Sequence, residues 1–276
     1  MDIQKSDNKI WLLGLIISTV VLYFGSFKWL LTSWLTLDAY SHGFLIPIIS
    51  LFLIWQKRDI LAGADDQKSP MLFILGLIIY VVGQLTGAIF LTTVSMIPFL
   101  LGLVLLFKGA QQMRVLIFPV CFLIFAIPLP DLDGIMLTLQ GISTVLATGI
   151  SHLLGVESSH DGCQILMNGA IFEVAPACSG FNSIVSLFTV VTLLAYLIPD
   201  PLTDKVILLI ATLPLAIFTN GLRIAITLLV ASNFGVEAGI RYFHDWGGIT
   251  FFVIALVSIF ILLEALRWIR KISTKL

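Results

Sequence analysis

The sequence is short of charged residues, which make up only 11% of its 276 positions. Soluble domains carry about 25%, and a chain with 59% apolar residues cannot cover a water-soluble surface of this size. The 15 basic and 16 acidic residues leave a formal net charge of −1, which provides neither a basic groove for nucleic acid nor an acidic tail. This composition excludes soluble classes of protein and predicts an integral membrane protein.

Cysteine is equally scarce, with three residues, Cys121, Cys163 and Cys178, and no C-x-x-C pair. This number and spacing exclude a disulfide framework and a zinc site. His152 and His160 have no partners at metal-ligand spacing and are interpreted as solvated residues. We therefore expect no metal and no cofactor. A bond between Cys163 and Cys178 stays open as an alternative to two free thiols.

Long apolar runs are abundant, and a membrane-spanning helix needs about 20 mostly apolar residues. The sequence predicts an all-α polytopic membrane domain over residues 1–276, with about eight transmembrane helices. Seven or nine crossings remain open, because three of the candidates are short. The candidate spans are 10–31, 40–56, 70–88, 92–108, 114–129, 178–198, 206–232 and 247–268.

The basic residues orient these spans. With eight crossings, twelve of the fifteen Lys and Arg residues fall on one side of the bilayer, which the positive-inside rule assigns to the cytoplasm. We therefore predict a multi-pass protein of the cell (inner) membrane with both termini in the cytoplasm. Because no Lys or Arg occurs from Val115 to Asp204, the loop between spans five and six is predicted to be extracytoplasmic.

This loop, residues 130–177, is predicted to form a small extracytoplasmic cap. From Asp131 to Gly155 the apolar residues recur at helical spacing, which indicates an interfacial helix or a loosely inserted one. Farther on, Gln164–Met167 and Ala170–Val174 flank Asn168-Gly169, a two-residue turn signal for a β-hairpin.

Three ionisable residues near predicted span ends are candidates for function. Cys178 begins span six, where the helix dipole favours a thiolate, although a lone cysteine in a membrane helix is usually an apolar filler. Arg223 lies eighteen residues after Lys205, about 27 Å along a helix, and either snorkels or stabilises an oxyanion or carboxylate. His244 precedes the last span, where a histidine alone usually has no function.

Together, these three residues are predicted to meet at the extracytoplasmic rim. A thiolate nucleophile, a proton-transferring imidazole and an oxyanion-stabilising cation are the groups that thiol acyl transfer requires. His42 is predicted at the same level, where it either binds substrate or forms hydrogen bonds within the fold.

Four stretches at these residues resemble the exosortase/archaeosortase family of multispanning membrane enzymes. Their order and separations fit that family over residues 40 to 265. The stretches are Tyr40-Ser41-His42-Gly43 with Pro47, Phe172 through Ala177-Cys178-Ser179-Gly180 with Ser183, Asn220 with Arg223-Ile224, and His244-Asp245 with Gly248.

The resemblance implies a cysteine protease or transpeptidase acting on membrane-anchored secreted proteins. These substrates would carry a C-terminal sorting signal: a short motif, often Pro-Glu-Pro, then a transmembrane helix and a basic tail. Cys178 would be the nucleophile and form a thioester that passes to water, an amine or a hydroxyl. His244 would transfer protons, and Arg223 would stabilise the tetrahedral intermediate or orient the substrate.

The wider predicted site includes residues that bind substrate or support the catalytic three, namely His42, Ser179, Asn220, Asp245 and Glu173. Many bacterial family members carry an arginine where this chain has Asn182, so the subfamily stays open. The implied partners are the protein substrates and the lipid bilayer, with no nucleic acid, and a link to exopolysaccharide production is implied for some members.

Two other functions compete with the enzyme. A small-solute transporter would place ionisable residues near the midplane and show inverted repeats, whereas here the candidates cluster at one rim and no repeat is visible. A non-catalytic protein of envelope polysaccharide assembly would tolerate the loss of Cys178.

Overall fold

The computed structural model of the chain describes residues 15, 17–61, 63, 65, 67–130, 132–167, 169–242 and 246–273, with only the backbone at 177. The chain forms two compact units, residues 1–130 and 131–276. The predicted first span, 10–31, lies partly outside the described residues.

The first unit is helical. A 3-10 helix at Asp38–Phe44 precedes α2, and another at Phe122–Ala126 follows α7. The α-helices are α1 Phe24–Thr36, α2 Leu45–Gln56, α3 Arg58–Leu61, α4 Met71–Thr86, α5 Ile89–Val94, α6 Met96–Phe107 and α7 Ala110–Cys121.

Glycines let helix α4 approach α5 and α6 closely. A Cβ atom on Gly76 would lie 2.6 Å from the backbone nitrogen of Phe99, and one on Gly83 would lie 2.6 Å from that of Thr92. Small residues at such contacts allow backbones to touch, as in other membrane helix pairs. Gly87 ends α4 in the left-handed conformation, with φ of 69°.

The second unit combines helices with a small sheet. Its elements are α8 Asp133–Leu153, β1 Ser159–Asp161, β2 Gln164–Met167, β3 Ala170–Glu173, a 3-10 helix at Pro176–Cys178, α9 Phe181–Leu197, α10 Leu202–Phe234, α11 Val236–Tyr242 and α12 Gly248–Ser273.

The predicted hairpin is confirmed, and a third strand joins it. β2 pairs antiparallel with β3, with Met167 opposite Ala170; Asn168 itself lies outside the described residues. β1 pairs antiparallel with the other side of β2. The sequence did not indicate β1, because its three residues are polar and all exposed.

Helix α8 buries its polar side, whereas an interfacial helix buries its apolar side. Its buried residues are Gln140, Ser143, Thr144, Ala147, Thr148 and Ser151. Exposed positions instead carry apolar side chains such as Ile135, Val145 and Leu153. A polar side turned inward and an apolar side turned outward are typical of a helix in lipid. This arrangement favours the inserted form over one lying on the surface.

Five helical stretches in the described part of the chain are long and apolar enough to cross a membrane, and α8 is one of them. The others are Asp38–Gln56, Ile89–Phe107, Leu202–Phe234 and Gly248–Ser273. Three shorter apolar helices accompany them: Met71–Thr86, Ala110–Ala126 and Phe181–Leu197. The protein is therefore a multi-pass membrane protein, whereas the predicted count of eight crossings is not confirmed.

Helix α10 organises the second unit. Its 33 residues extend about 50 Å at 1.5 Å per residue. Ser143 of α8 reaches Asn220, and α12 runs antiparallel to α10, because Gly247 lies beside Arg223 while Arg270 lies beside Asp204. One core of α9, α10 and α12 contains Leu187, Val191, Leu208, Ala216, Ala255, Ile259 and Leu263.

Candidate functional site

Cys178 lies at the end of the 3-10 helix Pro176–Cys178, three residues before α9 begins. Its N–H donates to the carbonyl of Ala175 at 2.7 Å. The side chain is half-buried and packs against the core cluster that joins the sheet to α8 and α10. Pro176 suits the first position of this turn because a proline there has no N–H to leave unpaired.

Asn220 holds the backbone carbonyl of this cysteine and, through Ser143, that of the next residue. The residue is 2% exposed, and its amide nitrogen donates to the carbonyl of Cys178 at 2.9 Å and to the hydroxyl of Ser143 at 2.9 Å. The Ser143 hydroxyl in turn donates to the carbonyl of Ser179 at 3.1 Å. One side chain of α10 and one of α8 therefore hold two successive carbonyls.

Ser179 and Gly180 complete the turn into α9. The Ser179 hydroxyl accepts the N–H of Phe181 at 3.3 Å, one of the groups that a helix start leaves without a backbone partner. Gly180 has φ of +87°, and a Cβ atom there would lie 2.9 Å from the amide of Asn220. Only glycine meets both the backbone conformation and this close approach.

Arg223 lies one turn beyond Asn220 on α10, on the same side of the helix as expected for residues three apart. Its guanidinium interacts electrostatically with the thiol of Cys178. Its aliphatic carbons also face Gly247, where a Cβ atom would lie 3.5 Å away. The same Cβ would be 3.7 Å from the carbonyl of Tyr242, so residues 242 and 247 lie close together.

Four of the predicted site residues therefore come together in the second unit: Cys178, Ser179, Asn220 and Arg223. Glu173 is exposed on β3, five residues before the cysteine. His244 and Asp245 lie outside the described residues.

His42 belongs to the first unit, where its ring stacks with that of Tyr40 at a centroid distance of 6.3 Å. Within the described part of the chain, neither imidazole nitrogen of His42 has a hydrogen-bond partner.

All three cysteines lie within the described residues and are free thiols. The alternative bond between Cys163 and Cys178 is therefore not formed, and the sulfur of Cys178 is available for chemistry. In the same part of the chain, no group of three His, Cys, Asp or Glu side chains is arranged to hold a metal ion.

The opposite end of α10 carries an ion-pair cluster. Arg267 donates from Nε and Nη2 to the carboxylate of Asp200, and Arg270 bridges Asp200 at 2.8 Å and Asp204 at 2.7 Å. These hydrogen bonds from Arg267 and Arg270 lower the pKa of Asp200 to about 2. The side chain of Asp200 is only 5% exposed, so the two guanidiniums, and not water, compensate its negative charge.

Two residues of the site were missed at the sequence level, Ser143 and Gly180. The sequence leaves Ser143 ambiguous, because the same periodicity describes a solvated polar side of a helix and a buried one. Gly180 followed the cysteine in a quoted motif, but the contact that excludes a side chain depends on Asn220, forty positions away in the sequence.

Comparison with known proteins identifies a family for the chain. No curated protein and no solved structure matches the chain. The model of one family, described as transmembrane exosortase (Exosortase_EpsH), matches residues 34–261, a range that includes Cys178, Asn220, Arg223 and His244. Because the match covers most of the chain, the protein belongs to the transmembrane exosortase family.

Proposed function

We propose that this protein is a membrane-embedded cysteine protease or transpeptidase that cleaves the C-terminal sorting signal of secreted proteins. The signal would be a short Pro-Glu-Pro-like motif followed by a transmembrane helix and a basic tail. Cys178 is the nucleophile of this reaction, and the cleaved proteins are sorted to the cell surface, with a link to exopolysaccharide production.

One observation carries the proposal: the free thiol of Cys178 lies beside the guanidinium of Arg223, on a turn that Asn220 holds in place. A nearby cation favours the thiolate, which is the reactive form of cysteine. It also offers hydrogen-bond donors to the negative oxygen that develops on an attacked carbonyl. Membership of the exosortase family supports the same reaction class.

His244 is proposed as the acid and base. It lies three positions before Gly247, and an extended chain covers at most about 11 Å over three residues. A Cβ atom on Gly247 would lie 3.5 Å from Arg223, so the length of the chain allows the imidazole to approach the thiol. Asp245 would then orient the imidazole or its neighbours, as carboxylates do in other cysteine and serine enzymes.

The reaction would proceed in two steps, acylation of Cys178 and deacylation. The thiol proton passes to His244 while sulfur attacks the scissile carbonyl, and Arg223 stabilises the oxyanion. The carbon–nitrogen bond then breaks, and His244 returns the proton to the leaving amine, leaving a thioester on Cys178. Water, an amine or a hydroxyl next attacks the thioester and gives its proton to His244. The carbon–sulfur bond then breaks, and His244 returns the proton to the sulfur of Cys178.

The proposed orientation places the Cys178 end of α10 outside the cytoplasm of the cell (inner) membrane, with both termini inside. Lys205, Arg267 and Arg270 lie at the other end of the second unit, which the positive-inside rule assigns to the cytoplasm. On this basis residues 130–177 contribute the small sheet as an extracytoplasmic cap, with α8 inserted beside α10.

Replacement of Cys178 tests the proposal. The substrate is a soluble reporter fused to the C-terminal sorting signal of a secreted protein from the same cells. In the presence of the wild-type protein, the reporter should lose the transmembrane helix and the basic tail of that signal. Cys178→Ala should abolish this change in mass, and Cys163→Ala, which removes a second free thiol of the same unit, should not. With hydroxylamine present, the wild-type protein should yield a reporter that ends in a hydroxamate, because hydroxylamine intercepts a thioester.

Normal processing by a well-expressed Cys178→Ala protein would contradict the catalytic role and favour a scaffold or transport function. If Cys163→Ala abolishes processing and Cys178→Ala does not, Cys163 is the nucleophile.

A further inference from the structure

The two outer edges of the three-stranded sheet differ in how their backbone groups are used. In an antiparallel ladder, alternate residues of a strand direct N–H and C=O toward one neighbour or the other. The two-residue turn makes Met167 and Ala170 a hydrogen-bonded pair. The bond from the N–H of Val174 to the carbonyl of Cys163, at 2.9 Å, follows the same alternation. Ile171 and Glu173 of β3 therefore direct their N–H and C=O groups away from β2.

The other edge is covered by the protein itself at its Ser158 end. The same alternation turns Ser158 and His160 away from β2, and the imidazole of His152 lies against both the N–H and the carbonyl of Ser158. The Ser158 hydroxyl also bonds to that of Ser151 at 2.7 Å. Helix α8 thus occupies the position next to β1 at Ser158.

The β3 edge is open among the described residues. No hydrogen bond from these residues reaches the outward N–H and C=O groups of Ile171 and Glu173, and the Ile171 side chain is 63% exposed. Natural proteins normally cover or blunt such an edge, because it is a template for pairing with another chain. An open edge in this position therefore indicates a binding surface.

β3 leads directly to the candidate nucleophile. Cys178 lies five positions after Glu173, a length of at most about 17 Å. The carbonyl of Val174, just after the strand, is held by the side-chain amide of Gln140 at 2.8 Å. A chain paired with β3 would thus be fixed close to the thiol by a rigid segment.

We propose that an extended segment of the protein substrate adds to this sheet as a fourth strand along β3, and that this pairing delivers the scissile bond to Cys178. The inference rests on the proposed function and specifies its mode of substrate binding. Strand addition uses main-chain hydrogen bonds for affinity and alternate side chains for selectivity. Proline is compatible at every second position of the segment, where no N–H is needed.

Charge adds a selectivity element. Glu173 carries the one charge on β3, and no Lys or Arg occurs from Val115 to Asp204. A carboxylate placed directly opposite Glu173 would be repelled, since like charges across a strand pair destabilise it. The substrate residue opposite Glu173 is therefore neutral or basic.

A proline at the open edge tests the pairing. Ile171→Pro removes an outward N–H while leaving the ladder with β2 intact, as an edge position allows. His160→Pro is the matched control, because it makes the same change at an outward position of β1. With the reporter described above, Ile171→Pro should reduce processing at least about tenfold, because one or two hydrogen bonds to the substrate are lost. His160→Pro should leave it unchanged, and Ile171→Ala, which keeps the N–H, should retain most of it.

Several results would overturn the pairing. Equal processing by the Ile171→Pro and His160→Pro proteins would contradict it, and so would an Ile171→Ala protein as impaired as Ile171→Pro, since the side chain would then be the contact. Cross-links that join Ile171→Cys to a second copy, and not to a reporter carrying one cysteine near its cleavage site, would assign the edge to self-association.

Thiol labelling of Cys178 in each variant separates misfolding from lost binding, because a folded variant keeps the labelling rate of the wild-type protein. If Cys178→Ala processes the reporter normally, the proposed function itself fails. If Cys178→Ala blocks processing while Ile171→Pro does not, only the strand pairing fails.

Discussion

The two ends of the second unit use arginine in different ways. At the Asp204 end of α10, Arg267 and Arg270 are hydrogen-bonded to carboxylates at 2.6 to 3.2 Å. About 28 Å away along the helix, the guanidinium of Arg223 interacts with a thiol, and the polar groups around it hold backbone carbonyls.

This difference separates a structural arginine from a candidate functional one. A cation facing carboxylates is neutralised, and the pair mainly fixes helix ends at the edge of the membrane. A cation close to a thiol instead favours a negative charge on that thiol, which the reaction needs and the resting protein need not carry. The comparison suggests that substitutions at the two ends should affect different measurements.

Removal of Arg223 is expected to give the largest contrast. Arg223→Ala should lower the rate of reporter processing about 10²- to 10³-fold, the usual cost of losing an oxyanion-stabilising donor. Insertion and expression should change little. Arg223→Lys should recover only part of the rate, because lysine lacks the planar set of donors.

The matched control for this experiment is Arg241→Ala. That guanidinium is 73% exposed and pairs at 3.6 Å with Glu237 on the same short helix, so its loss should leave processing unchanged. Equal rates for the Arg223→Ala and wild-type proteins would make Arg223 a structural residue like those at the opposite end.

Loss of the Asn220 amide should have a smaller effect at the same end. In the Asn220→Ala protein, the carbonyl of Cys178 loses its donor, and an unpaired buried group costs about 1–3 kcal/mol. If that energy is lost from the reacting geometry, processing falls about 10- to 100-fold. The pH profile of Cys178 alkylation should shift as well, which a purely structural defect elsewhere would not cause.

Asn233→Ala is the control for position and residue type, since Asn233 is exposed on the same helix and bonds within its own helix, to the carbonyl of Leu229. An Asn220→Ala protein with wild-type processing and alkylation would show that the turn is held by other contacts.

The sequence was informative wherever a short pattern has one physical meaning. Asn168-Gly169 between two β-prone runs predicted the hairpin at its observed register, and the spacing of Lys205 and Arg223 placed the two charges about five turns apart on one helix. The order of motifs indicated the family. Each of these inferences depends on local chemistry or on distance along one element.

The sequence was ambiguous wherever a pattern has two physical meanings. The alternating polar and apolar sides of α8 are the same whether water or lipid surrounds the helix, and only its packing against α10 shows that Ser143 lies inward. The contact between Gly180 and Asn220 is also tertiary, because two segments forty residues apart must meet. For the same reason the number of crossings could not be fixed by hydropathy alone.

The smallest expected effect lies at the ion-pair end, where Asp200→Asn should lower thermal stability without slowing catalysis by the folded protein. The hydrogen bonds from Arg267 and Arg270 keep the pKa of Asp200 at about 2, below the value of about 3.9 for an unfolded chain. Because the folded pKa is the lower one, the carboxylate stabilises the fold fully above about pH 4 and loses this effect as the pH falls through about 2. Melting curves in detergent should therefore separate the wild-type and Asp200→Asn proteins at neutral pH and converge in acid.

The control for this prediction is Glu264→Gln, which removes an exposed partner of Arg267. It should shift the melting curve far less, because surface ion pairs contribute little. A processing defect in folded Asp200→Asn protein would contradict the separation of the two ends, since it would connect the carboxylate cluster to the chemistry about 28 Å away.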